Sequence, residues 1–132
     1  MTYEQIANAV RSKFLQEIAE VENLSTIYDN QAATPPDGEI WCRWNVRPGE
    51  SYQASIGVNP LIRIPGVAIA QLFATVGRGD GELMELADKI SDAFKCVTTS
   101  GVVYQTPHVS TVGRRENCWQ VNVTCPFYAE DQ

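Results

Sequence analysis

Residues 67–76 (VAIAQLFATV) constrain the fold of this chain more than any other stretch, because almost every side chain in them is apolar. Pro65 and Gly66 precede the run and Gly77 and Gly79 follow it, so turn-forming residues bound it on both sides. The run is about half as long as the ~20 residues that a membrane-spanning helix needs. A short apolar run between such residues is typical of a strand that is buried on both faces. The sequence therefore predicts a β-sheet with this strand at its centre.

Length and composition predict one globular domain over residues 1–132. A chain of 132 residues buries roughly two-thirds of its unfolded surface on folding, so it needs no disulfide or metal for stability. The net charge of −6 argues against a free-standing nucleic-acid binder, since phosphate contacts need clustered lysine and arginine. The sequence shows neither a signal-peptide pattern nor a membrane span. We therefore expect a protein that is made in the cytoplasm, has reduced thiols and does not bind a membrane.

Two amphipathic helices are predicted around the first group of strands. The first covers residues 2–24, starts with a capping box formed by Thr2 and Gln5, and has an apolar stripe of Ile6, Val10, Phe14, Ile18 and Val21. The second follows Asp80, its expected N-cap, and has an apolar stripe of Leu83, Leu86, Ala87, Ile90 and Phe94. Residues 31–38 (QAATPPDG) are predicted to form a loop that is mobile in isolated subunits, because adjacent prolines and Asp-Gly continue no regular element.

Alternation of apolar and polar residues predicts the remaining strands. They cover residues 40–47, 51–57, 102–105, 109–112 and 119–127, and residues 113–117 connect the last two. The order α-β-β-β-α-β-β-β predicts an α+β fold, a two-layer sandwich in which two helices pack on one face of a mostly antiparallel mixed β-sheet. The uncovered face suits water or a wet partner surface, because it carries Arg43, Asn45, Gln120 and Asn122.

The reactive side chains of the sequence exclude most kinds of catalysis. His108 is the only histidine, and the four cysteines contain no Cys-x-x-Cys pair. Cys96 and Cys125 are predicted to lie in the core, and Cys118 to lie on the strand face opposite Cys125. The glycine-rich segment 77–81 does not match a dinucleotide-binding fingerprint, because the pattern requires its third glycine where this chain has Glu82. Carboxylates at this helix start would also repel a pyrophosphate. We therefore expect no catalytic residue, no metal and no cofactor.

Charge is segregated along the sequence. Residues 80–92 contain five carboxylates against Lys89, and residues 40–64 contain three arginines against Glu50. Two oppositely charged patches suit head-to-tail contact between identical subunits, although scattered solubilising charge accounts for the pattern equally well. The candidate interface residues are Arg43, Arg47, Arg63, Arg114 and Arg115 on the basic side and Asp80, Glu82, Glu85, Asp88 and Asp92 on the acidic side.

Six short motifs follow one another in the middle of the chain. They are Ile27-Tyr28-Asp29-Asn30, Trp41-x-Arg43-x-x-Val46, Pro60-x-x-Arg63-x-x-Gly66-Val67, Gln71-Leu72-Phe73, Gly77-x-Gly79-Asp80-Gly81 and Leu86-Ala87-Asp88-x-Ile90. The series resembles the tail terminator proteins of long-tailed bacteriophages, which are lambda-like minor tail proteins. The likeness covers roughly residues 3–127 and includes the length and the α-β-β-β-α-β order.

This resemblance implies a structural protein of the virion tail that is assembled in the host cytoplasm, and no enzyme. It implies a homohexameric ring that caps the tail tube, ends tube polymerisation and provides a surface for joining the head. The implied partners are further copies of the chain, the tail tube protein and a head-completion or connector protein. DNA would pass through the ring without specific binding, since an acidic lumen repels phosphate.

Two other interpretations remain open from the sequence. One is another head–tail connector or neck protein of similar size. The other is a small ligand-binding or enzymatic α+β domain with a cleft beneath the Arg43 face, which is disfavoured because no nucleophile–base pair or metal set is visible.

Overall fold

A computed structural model of the chain describes residues 2–28, 40–75, 81–115 and 118–131. The helical elements are α1 (Tyr3–Phe14), a π-helical segment that follows it directly (Leu15–Ala19) and α2 (Gly81–Phe94). The strands are β1 (Ser25–Tyr28), β2 (Trp41–Pro48), β3 (Tyr52–Gln53), β4 (Ile62–Thr75), β5 (Thr98–Thr99), β6 (Val102–Tyr104), β7 (His108–Arg115) and β8 (Cys118–Asp131). The predicted loop 31–38, with its expected mobility, and the expected N-cap Asp80 lie outside the described residues.

The eight described strands form one sheet in the order β1-β2-β4-β8-β6-β5, while β3 pairs with β4 and β7 pairs with β8. β1 and β2 are parallel and every other pair is antiparallel. The prediction of an α+β chain with two helices and a mixed sheet is therefore confirmed. The sheet curls into a half-barrel, a curvature that the predicted two-layer sandwich did not include.

The apolar run is a central strand, as predicted, because β4 lies between β2 and β8. The prediction that it is buried on both faces is wrong. Side chains such as Ala70 and Leu72 are buried on the face that carries the core, whereas Ile69 and Gln71 are only half-buried on the opposite face. That opposite face, which also carries Arg43, Asn45 and Asn122 from the neighbouring strands, is called the open face below.

The first helix does not continue regularly to residue 24. After α1 the chain forms the π-helical segment, in which the Glu20 N–H donates to the Leu15 carbonyl five residues earlier (2.9 Å). The wider turn rotates the residues that follow relative to an α-helical stripe. Val21, which was assigned to that stripe, is consequently 70% exposed, while Ile18 and Ala19 remain buried.

The other elements follow the sequence predictions to different degrees. The Thr2–Gln5 capping box and the whole apolar stripe of α2 are confirmed. The predicted strand 51–57 is reduced to β3, and the short strands β1 and β5 were not predicted. The last hairpin connection is shorter than residues 113–117, because β7 continues to Arg115 through a β-bulge at Val112.

An aromatic cluster joins the helices to the sheet. The rings of Phe14 and Trp44 are stacked, with centroids 4.1 Å apart and planes 15° apart, and Phe94 packs against the other side of the cluster at 5.6 Å from Trp44. Phe94 also makes an edge contact with Tyr104 (5.1 Å). Phe14, Trp44, Phe94 and Tyr104 are all fully buried, so this cluster fixes how α1 and α2 lie on the sheet.

A buried lysine that the sequence patterns did not reveal borders this cluster. Lys13 is only 6% exposed, and its ammonium lies 5.2 Å from the ring centroid of Phe94 and 5.5 Å from that of Tyr104. Glu17, one turn later, accepts a 2.5 Å hydrogen bond from Lys13 Nζ. A carboxylate and two ring faces thus compensate the buried positive charge.

Candidate assembly surfaces

The structure places the described candidate interface residues on the open face of β2, at the ends of β4 and β7, and on α2. The basic strand residues Arg43 and Arg47 are exposed on β2, where Arg43 lies over the Trp41 ring (5.6 Å). Arg114 is exposed near the end of β7, and the backbone of Arg115 follows it in the same strand. The acidic residues Glu82, Glu85, Asp88 and Asp92 are exposed on α2, which packs on the face that carries the core. Arg114 lies on this same face, because its partner Trp119 pairs with the buried Ala74.

Arg63 is bound within its own subunit. Its guanidinium donates to Glu130 at 2.6 Å and lies 4.5 Å from the ring centroid of Tyr128 on β8. Hydrogen bonds to Glu130 and Tyr52 raise the pKa of Arg63 above its ordinary value. Arg63 thus ties the start of β4 to β3 and β8.

The acidic end of α2 lines a cleft of about 420 Å³ at the β1 border of the sheet. The ammonium of Lys89 lies 3.1 Å from a Glu22 carboxylate oxygen. Among the described residues, the lining contains three carboxylates and this one ammonium; these residues are Glu22, Asn23, Leu24, Ile40, Glu82, Glu85, Leu86 and Lys89. Such a cleft favours a positively charged side chain over an anion.

The open face carries the predicted polar residues, of which Arg43 is exposed and Asn45 and Asn122 are half-buried. The prediction that Gln120 faces water is wrong, because its side chain is buried. Asn45 Nδ2 and Gln71 Oε1 are 3.5 Å apart, and Gln120 Nε2 donates to Asn122 Oδ1 (2.8 Å). At one end, Trp41 and Phe73 stack with ring centroids 4.3 Å apart. Amide ladders beside an aromatic stack are compatible with a wet contact surface.

A second contact feature is the hairpin that joins β3 to β4, which the alternation pattern wrongly assigned to a strand. The loop is closed at its base by hydrogen bonds from the Ala54 N–H to the Leu61 carbonyl (2.6 Å) and from the Leu61 N–H to Ser55 Oγ (2.7 Å). At its tip Ile56 and Val58 are 99% and 98% exposed. The tip thus exposes two β-branched side chains, separated by Gly57, that a protein partner could cover.

The described residues contain no group of three histidine, cysteine or acidic side chains placed to hold a metal ion. None of the helices in these parts of the chain is long and apolar enough to cross a membrane. His108 is exposed on β7.

The four thiols are free and occupy different environments. Cys125 is buried, as predicted, and burial raises its pKa to about 12; burial also raises the pKa of Cys42. The prediction that Cys96 is a core residue is wrong, because it is exposed at a turn with a positive φ of 51° after α2. The turn after α2 holds Cys96 at the surface, although cysteine is usually a buried residue.

We expect a reductant to leave the melting temperature nearly unchanged, since the core rather than a disulfide stabilises the fold. A thiol-reactive dye should label Cys96 quickly and Cys42 and Cys125 only after unfolding, because their thiols are buried and remain protonated at neutral pH. A reductant-induced drop of more than ~5 °C, which corresponds to about 1 kcal/mol in a domain of this size, would contradict this prediction.

Comparison with known proteins identifies the family. A family model described as "Phage tail terminator protein" matches residues 5–127. A search of curated proteins gave no significant match. A solved structure has the same fold, with a TM-score of 0.67 over 96% of both chains at 15% sequence identity.

Proposed function

The chain belongs to the phage tail terminator family, and from this premise we propose that it forms a homohexameric ring that caps the tail tube. Its role is structural and its place is the virion tail, since the family is one of structural tail proteins and not of enzymes. The ring would end polymerisation of the tube and present its other surface to a head-completion or connector protein. Assembly of this ring would take place in the host cytoplasm, and DNA would pass through it without specific binding.

The family match over residues 5–127 carries this proposal, and features of the surface support it. The described surface offers exposed basic residues on the strands, exposed acidic residues on α2 and an exposed apolar hairpin tip. A closed ring needs two different patches that meet between neighbours, and opposite charges on them would fix register and speed encounter.

Light scattering on the purified protein tests ring formation, and adding the protein to polymerising tube protein tests termination. We expect a particle of about six subunits that shortens the tubes and appears at one tube end in electron micrographs. A ring that binds the head connector but leaves tube length unchanged would favour the neck-protein alternative. A protein that stays monomeric or dimeric and never binds tubes would contradict the proposal.

Subunit contact should be partly electrostatic, with the basic residues Arg43, Arg47, Arg114 and Arg115 of one subunit facing acidic residues of its neighbour. We expect the double reversal Arg114→Glu with Arg115→Glu to weaken assembly more at low salt than at high salt, because salt screens exposed charges. Each exposed pair is worth only ~0–1 kcal/mol, so apolar contact must supply most of the affinity.

The single variant Arg114→Glu is made as well, and Lys95→Glu is its matched control. Lys95 is exposed just after α2, and its reversal changes the charge by the same amount. Assembly is measured by light scattering across a series of ionic strengths. If the double variant assembles as well as the parent at every ionic strength, these arginines are solvated surface in the ring and should be tested as contacts to the tube or the head.

A further inference from the structure

The β3–β4 hairpin ends in an apolar tip, residues 56–60, that the described parts of its own subunit leave uncovered. Ile56 and Val58 are almost completely exposed, and the described parts of the chain supply no hydrogen bond to residues 56–60. The bonds of Ala54 and Leu61 close the hairpin below the tip, so it is preorganised for contact. Both exposed side chains would gain from burial against a partner, because apolar surface leaves water favourably.

The hairpin also carries no charge. Residues 51–61 (SYQASIGVNPL) contain no charged side chain, although charged residues make up 20% of the chain. The core of a protein–protein interface is depleted of charged residues in the same way. Burying an unpaired ion is costly, whereas an uncharged tip leaves water without that cost. The composition of the hairpin therefore permits burial of its tip in a groove.

A groove on the same chain has room for such a tip. Two adjacent cavities of about 130 and 400 Å³ lie between the outer side of α1 and the strands β1 and β2, and they are together called the α1 groove below. The smaller is lined by Ala7, Asn8, Arg11, Trp44 and Val46, and the larger by Arg11, Ser12, Leu15 and Tyr28. A cavity of ~150 Å³ holds a molecule of the size of benzene, so the α1 groove can hold an isoleucine and a valine side chain.

The chemistry of the α1 groove complements that of the tip. Leu15 is 38% exposed in the larger cavity and offers an apolar wall. The guanidinium of Arg11 lies 5.8 Å from the ring centroid of Tyr28 and has only donors. Trp44, which lines the smaller cavity, has a buried indole N–H with no hydrogen-bond partner among the described residues. The groove thus has donors in excess, and the tip brings backbone carbonyls that accept hydrogen bonds.

We infer that the hairpin tip of one subunit inserts Ile56 and Val58 into the α1 groove of the next subunit. This inference rests on the ring proposed above and names the surface that closes it. The contact is heterologous, because a projection and a groove on different parts of the same chain meet, and repetition of such a contact generates a ring. It would supply the apolar contact that the exposed ion pairs cannot replace.

Substitutions on both sides of the contact test whether tip and groove meet. Ile56→Ser/Val58→Ser removes the apolar tip, and Ser12→Trp fills the larger cavity from an exposed position. We expect each to raise the concentration at which the ring half-dissociates by about tenfold or more, measured by light scattering of a dilution series. Combining them should add little, because both remove the same contact. Additive effects would overturn the inference.

Val21→Ser is the matched control for the tip variant. Val21 is 70% exposed and lines neither cavity of the α1 groove, so its replacement should leave the dissociation concentration unchanged. All the substituted side chains are exposed, and the melting temperature of each variant therefore checks that its fold is intact. A control that weakens the ring as much as the tip variant would overturn the inference.

Cross-linking gives a second measurement that keeps both apolar side chains of the tip. Asn59→Cys and Ser12→Cys are made singly and together in a Cys96→Ser/Cys118→Ser background, which removes the two thiols that are not buried. With a short bismaleimide, the variant with both cysteines should give a ladder of covalent multimers up to the ring size. A mixture of the two single variants should give dimers only, and each single variant should give none.

The outcomes separate this inference from the proposed function. Covalent dimers of Asn59→Cys alone would show that two tips meet each other and would overturn the inference. A tip variant that forms the ring as well as the parent but no longer shortens the tubes would show that the tip contacts the tube protein; it would overturn the inference and leave the proposed function intact. A parent protein that never assembles would overturn both.

Discussion

Trp44→Ala is expected to lower the free energy of unfolding by about 3–5 kcal/mol, the usual cost of removing a large aromatic side chain from a core. Trp44 is 1% exposed and lies between Phe14 of α1 and Phe94 of α2, so its loss leaves a cavity under both helices at once. The corresponding fall in melting temperature is roughly 10–20 °C. Urea denaturation followed by circular dichroism measures the change.

Trp44→Phe is the matched control for this prediction. The smaller ring keeps a stack against Phe14 and removes the indole N–H, which is buried and finds no hydrogen-bond partner among the described residues. We expect it to cost about 1–2 kcal/mol, well below the alanine variant. Equal losses for the two variants would show that the cluster is not packed around this ring.

The parts of the fold that local periodicity determines were predictable from the sequence. The stripe of α2 is correct at every position, because one uninterrupted 3.6-residue period places Leu83 to Phe94 on a single face. β8 is correct for the same kind of reason, since Val121, Val123 and Cys125 alternate with polar residues and are buried. In these elements the local pattern and the tertiary packing require the same arrangement.

The sequence did not predict features that depend on contacts distant along the chain. Nothing local marks the change from α- to π-helical bonds at Leu15, so Val21 was placed on the wrong face. The curl of the sheet arises from pairing β4 with β8, which are separated by α2 and three strands. β1 was not predicted, because four residues are too few to show an alternating pattern.

Contacts between distant residues also decide which charged side chains of the candidate interface are bound within the subunit. The sequence showed which residues carry charge, but not which of them already have partners. Arg63 forms an ion pair with Glu130, 67 residues later in the chain, whereas Arg114 is exposed near the end of β7. The fold therefore removes Arg63 from the ten charged candidates, whereas Arg114 stays among them.

Gly66→Ala is expected to lower the free energy of unfolding by about 1–3 kcal/mol, the usual cost of overpacking a core. Gly66 of β4 pairs with Pro48 of β2 on one side and with Phe127 of β8 on the other. A Cβ at this position would lie 2.7 Å from Phe127 Cζ and 2.9 Å from the Arg47 carbonyl oxygen. The ring could move only within a packed core, and the carbonyl belongs to a paired strand, so the sheet itself must shift.

Gly81→Ala makes the same chemical change where there is room for it. A Cβ at Gly81, the first residue of α2, would meet no atom within 4 Å. Alanine also reduces the conformational entropy of the unfolded chain, so this variant should be neutral or more stable by up to about 1 kcal/mol. Urea denaturation of the two variants side by side isolates the steric term, because both replace glycine with alanine. If Gly66→Ala is as stable as Gly81→Ala, then the contacts of a Cβ at Gly66 with Phe127 and the Arg47 carbonyl do not destabilise the fold.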